Sequence, residues 1–192
     1  MTSLPADLQT FADALDAADA AADALASRVS NDEFFWQPGE GRRWSIALCL
    51  DHLAVANTVY GAAIRDAIDK ARAAGWTRKD PAAPGFFGRK FVASLEPPVK
   101  RRTSAPGKIK PRPVATRDEI LRSYHAAHDD VRRMLADAAT IDINRATFAN
   151  PFLGFVRVKV STGFSVIAAH DRRHLWQAEQ VERELRSRRQ PA

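Results

Sequence analysis

Cysteine is all but missing from this chain of 192 residues: Cys49 stands alone. No intramolecular disulfide can form, which is compatible with a reducing cytosol. Residues 1–7 lack the basic start and apolar core of a signal peptide. No apolar run is expected to approach the roughly 18 residues that span a bilayer. A cytoplasmic protein without a membrane segment is the expectation. Clear strand runs are missing, as is any internal repeat. Acidic residues are scarce in one region: residues 70–117 hold 13 Lys/Arg against Asp80 and Glu96, a net of +11, so a total of +6 leaves −5 for the remainder. A basic segment of this kind can bind nucleic acid or acidic metabolites. No recognisable nucleic-acid motif accompanies it, so nucleic-acid binding is the lesser reading.

What is present is helical periodicity. Leu4, Leu8, Phe11, Leu15, Ala18, Ala22, Leu25 and Val29 are spaced by fours and threes. They predict a helix over about 3–29 with one apolar stripe, capped by Ser3, with Asp13, Asp16, Asp19 and Asp23 facing water. Ser30 and Glu33 have capping-box spacing and predict a short helical turn. Ser45 caps a second long helix over about 46–74. There Leu50, Leu53, Asn57, Tyr60, Ile64 and Ala67 trace one stripe, and His52, Val55, Val59 and Ala63 an adjacent one. So wide an apolar arc predicts burial.

Residues 75–115 hold seven of the eleven prolines and much of the basic charge. They read as a long excursion lying against the helices, with one helical turn around 87–95; connections of this length are often functional when ordered. Thr116 and Glu119 form a second capping box, opening a helix striped by Ile120, Tyr124, Ala127, Val131, Met134 and Ala138. The alternation over 155–160 reads as an approach to the last helix rather than a strand. That helix is expected to begin between Ser161 and Ser165 and to run to about Arg186. The expected fold is all-α: a single domain, 1–192, built as a four-helix bundle with a proline-rich basic excursion between its second and third helices.

His170 and His174 lie four apart on the last helix, so both imidazoles share one face, one turn apart, where a divalent metal can take a nitrogen from each. The inner face there runs Phe164, Ile167, His170, His174, Gln177, Val181 and Leu185. His52, inward on the second helix, is the candidate third ligand. Three neutral imidazoles suit zinc, nickel, iron or copper and leave coordination positions open. Spacing alone is a weak signal, equally compatible with core or surface histidines.

The residues around these histidines carry a resemblance. Trp36-Gln37-Pro38, then Trp44-Ser45-Ile46-Ala47-Leu48-Cys49-Leu50-Asp51-His52-Leu53, resembles the first motif of the DinB-like superfamily, where a histidine of the second helix follows a Trp-Ser cap. His170-Asp171-Arg172-Arg173-His174-Leu175-Trp176-Gln177 resembles the second motif. The superfamily includes the bacillithiol- and mycothiol-dependent S-transferases, and many members have no known activity. The resemblance implies a metal, most often zinc or nickel, held by His52, His170 and His174. It implies hydrolase or thiol S-transferase chemistry on a small-molecule thiol or electrophile, and a homodimer.

Other residues are weighed against plainer roles. His125 and His128 lie three apart but beside the main apolar face, and read first as boundary histidines. His128, Gln177 and Tyr60 are candidates to support the metal site or face a substrate. Cys49, among leucines, reads as core. Asp51 and Asp171 diverge by about 100° from their histidine neighbours, so they read as solvated or capping acids rather than ligands. Lys100, Arg101, Arg102, Lys108, Lys110 and Arg112, with Phe86 and Phe87, are the candidate phosphate-gripping set, or else a solvated loop or a lid over the metal pocket.

Overall fold

Four long helices carry the stripes read from the sequence, in a computed structural model that describes residues 3–99, 104–112 and 115–189. They are α1 (Ala6–Ser27), α3 (Ile46–Ala73), α5 (Arg117–Ala138) and α6 (Val160–Arg189). Two shorter helices, α2 (Asn31–Phe35) and α4 (Phe86–Leu95), lie between them. Local chemistry sets most of the starts. Ser45 Oγ accepts the Leu48 N–H at 3.1 Å, and both expected capping boxes close reciprocally, Ser30 with Glu33 and Thr116 with Glu119. Helix α1 differs. It begins after Pro5, not Ser3, because proline holds the cap position at φ −52° without any side-chain bond.

Two other expectations change. The helix in the excursion has ten residues rather than one turn. The alternation near 155–160 does contain a strand: β2 (Arg157–Lys159) pairs antiparallel with β1 (Thr147–Ala149), Phe148 opposite Val158. Helix α6 follows β2 directly, at Val160. A three-residue strand is fixed by its partner rather than by its own sequence, which is why periodicity missed it.

The apolar residues form two clusters. One joins Leu8–Leu15 of α1, Tyr60–Ala71 of α3, Val131–Ala138 of α5 and Val160–Ile167 of α6. The other joins the C-terminal half of α1 to the N-terminal halves of α3 and α5 and to Leu175–Val181 of α6. Helices α1 and α6 therefore run one way, α3 and α5 the other. Since α3 ends where α5 ends, the chain must travel back along the molecule to begin α5. The antiparallel bridge Thr77–Ile141, just past both helix ends, marks the shared end. This return accounts for the length of the connection. Helix α4 runs against α6, Gly88 meeting Thr162 and Glu96 reaching Arg172. The chain then forms a single 3-10 turn (Gly107–Ile109) beside α3. Gly163 lets α6 approach closely: a Cβ there would lie 2.9 Å from Ile64 and 3.0 Å from Phe148.

Between the clusters lies a polar layer. Asn57, His128 and Asp171 are buried there, and Asp19 of α1 is drawn in beside them rather than facing water. By length and composition α3 is apolar enough to cross a bilayer, but 67% of its most apolar window is buried in the protein.

Candidate metal centre

His52 is the seventh residue of α3, just past the Ser45 cap, on an arc with Cys49, Leu50 and Leu53 that faces the core. His170 and His174 stand mid-way along α6, which packs on α3. The three rings meet, their ligand atoms all within 4.8 Å of one another. His52 and His174 are buried, at 1% and 8% exposure, and His170 is half-buried.

The tautomers follow from the neighbours. His52 Nδ1 lies 2.5 Å from the Ile109 carbonyl oxygen. A carbonyl only accepts, so Nδ1 carries the hydrogen and Nε2 keeps its lone pair. That Nε2 is 3.2 Å from His170 Nε2. Two imidazole nitrogens bound to one ion at roughly 2.0–2.1 Å each stand about 3 Å apart. His174 Nδ1 donates to Gln177 Oε1 at 3.1 Å, which likewise leaves its Nε2 as the free nitrogen. The donor set therefore fits a transition metal such as zinc or nickel, which binds neutral imidazole.

Electrostatics keeps the rings neutral. Burial lowers the His52 pKa, against the opposing pull of the Ile109 carbonyl and Asp51. Burial, then the neighbouring His52 ring, brings His170 down to about 4. Burial, then His170 and His52, lowers His174 further. Trp44 closes one side, its ring 4.8 Å from His52 and 5.6 Å from His174. It is delivered by a turn in which Gly39, Glu40 and Gly41 all take positive φ, and Arg43 pairs with Glu184 of α6 at 2.5 Å.

Asp51 and Asp171, beside His52 and His170, are each buried, at 1% exposure, not solvated. Asp51 accepts from Arg112, at 2.6 Å from its backbone N–H and 2.8 Å from Nε. Asp171 accepts from Asn57 Nδ2 at 3.0 Å. Its other oxygen lies 3.5 Å from His128 Nε2, while His128 Nδ1 lies 2.7 Å from Asp19. Neither His128 contact is aligned as a hydrogen bond, so the ring is held as an ion pair. Burial alone would lower its pKa, but Asp171 and Asp19 outweigh it and raise the group to about 9. His128 is thus completely buried between two carboxylates, not a boundary histidine.

A family model described as the DinB superfamily matches residues 14–178, a span that contains all three histidines. The chain belongs to the DinB superfamily. No curated protein and no solved structure matches it.

Tyr60, His125 and Cys49 of this DinB-superfamily protein are not among the three converging histidines. Tyr60, two turns beyond His52, packs edge-on against Phe148 at 5.3 Å. Burial raises its hydroxyl to about 12. His125 lies at the surface against Asp23 at 2.9 Å. Cys49 is fully buried and its thiol is pushed up by that burial, as a core residue's would be. Lys100, Arg101 and Arg102 lie outside the described residues. Lys108 reaches the Pro151 carbonyl at 3.4 Å, and Arg112 is committed to Asp51.

Sequence reasoning missed Trp44 as a wall of the site, the Ile109 carbonyl, and the anchoring of both acids. The two acids did leave a signal: a carboxylate within a wide apolar arc needs a partner. A backbone carbonyl leaves none.

Proposed function

We propose that this DinB-superfamily protein is a metal-dependent enzyme of the hydrolase or thiol S-transferase type, built as a four-helix bundle, with zinc or nickel held by His52, His170 and His174. One observation carries this reading: three imidazoles converge within 4.8 Å, two of them with Nδ1 committed elsewhere so that Nε2 turns inward. Such an ion, when bound, lowers the pKa of a coordinated water or thiol and so supplies a nucleophile at neutral pH. The chain's own residues do the rest. Gln177 and the Ile109 carbonyl fix ring orientation, and Trp44 excludes water from one side. Asp171 and Asn57 tie α6 to α3, which sets the separation of the ligands. The lone, buried Cys49 fits the cytoplasm, and a homodimer is the assembly we propose.

Burial of His52 and His174 favours a second reading, a metal-binding protein without catalysis. The two separate in one assay. Zinc- or nickel-loaded protein is incubated with small thiols and an electrophile such as a chlorodinitrobenzene, and with ester and amide substrates. The enzyme reading expects turnover that chelation abolishes and metal restores. Full metal loading with no turnover on either substrate class would favour the binding reading.

A further inference from the structure

The return from α3 to α5 crosses the metal centre and is fastened there at two consecutive α3 residues. Ile109 O meets His52 Nδ1, and Arg112 meets Asp51. We propose that Arg112 is a positioning residue for His52: anchored on Asp51, it holds residues 107–112 so that the Ile109 carbonyl fixes the orientation and tautomer of the imidazole. This rests on the metal reading of the triad.

The anchor is strong by its chemistry. A carboxylate as buried as Asp51 needs full pairing. Arg112 supplies it with three charge-assisted contacts: its backbone N–H donates to Oδ2, and Nε with a close Nη2 contact meets Oδ1, so both oxygens are partnered. Nη2 also reaches Ser123 Oγ of α5 at 3.2 Å, so the guanidinium bridges two helices. The link from anchor to ring is short and stiff. Pro111 precedes Arg112 and confines Lys110 to extended backbone, observed at φ −64° and ψ 143°. Ile109 is itself buried, its side chain seated in the protein while its carbonyl meets the ring. Because Asp51 and His52 project about 100° apart on the helix, the acid cannot orient its neighbour directly. The strap makes the connection instead.

The test uses the full chain and two substitutions. Arg112→Ala removes the anchor. Pro111→Gly keeps the ion pair but loosens the link. Histidine ring-nitrogen NMR on metal-free protein reports the His52 tautomer, and zinc affinity is measured by competition with a chromophoric chelator. In the wild type His52 should show a single Nδ1–H tautomer. In Arg112→Ala this should become a mixture, with zinc binding weakened by about 10- to 100-fold, the range for lost outer-shell support. Pro111→Gly should move both readouts the same way by a smaller factor. A folded Arg112→Ala protein with an unchanged tautomer and zinc affinity within about twofold of wild type would overturn the proposal. If Arg112→Ala does not fold, unchanged readouts in Pro111→Gly would overturn it equally. A wild-type chain that binds no zinc would defeat the metal reading alone, because the ring-nitrogen spectrum still decides whether Arg112 holds the imidazole.

Discussion

His128 and His52 are both buried in the middle of the molecule, at 0% and 1% exposure, and they meet opposite neighbours. Asp19 and Asp171 flank His128; two further imidazoles face His52. Burial pushes both rings toward neutrality. Around His128 the carboxylates reverse that push and make a cation that draws α1, α5 and α6 together. Around His52, His170 and His174 the push stands, and lone pairs remain available. The same residue type under similar burial is cement in one place and a set of converging lone pairs that could hold a metal in the other. What differs is whether a carboxylate reaches the ring.

The largest effect should come from breaking the cement. His128→Ala leaves Asp19 and Asp171 facing each other across a cavity, and should lower unfolding stability by about 3–5 kcal/mol. Urea unfolding of the metal-free protein measures this. A loss under about 1 kcal/mol would show that His128 is not charged in the fold.

The pH dependence of stability should sharpen the contrast. His128 titrates near 6.5 when unfolded and at about 9 when folded. Below 6.5 both states hold the proton and the ion pair contributes in full. As pH rises toward 9 the contribution declines, and beyond 9 it is gone. The change is on the order of 3 kcal/mol, read as a falling urea midpoint in wild type and a flatter profile in His128→Ala. His170 has the opposite sign. With its pKa lowered to about 4, it removes stability from the metal-free protein as pH falls from 6.5 through 4.

Smaller effects come from the flanks. Asn57→Ala removes the hydrogen bond to Asp171 Oδ1 and should destabilise by about 1–3 kcal/mol. His170→Ala in the metal-free protein should change stability by about 1 kcal/mol or less, since the ring is half-buried and its nearest partners are neutral imidazoles. A large loss there would mean that the triad also serves as structural packing.

What the sequence revealed of this divides along local and distant chemistry. Ser45, Thr116 and the four stripes depend on neighbours within a few positions, so the long helices were legible. So was the pairing of His170 with His174, one turn apart. The roles of Asp51, Asp171 and His128 depend on partners 61, 114 and 109 residues away in the chain: Arg112, Asn57 and Asp19. Helical spacing turned the two acids away from their own histidines but gave no clue to what they would meet. His128 sits at the edge of its own helix's apolar face, where Asp19 of α1 and Asp171 of α6 meet it. Tyr60 shares a stripe with Asn57, yet eight residues of helix carry it about 12 Å beyond His52, into the other apolar cluster. Strand β2 is visible only through its pairing with Thr147–Ala149.

Elemental analysis of tag-free protein decides whether the neutral triad is a metal site. Wild type should carry about one transition metal per chain, lost in both His52→Ala and His174→Ala. No bound metal in wild type after reconstitution with zinc and with nickel, or metal retained in both histidine variants, would contradict it.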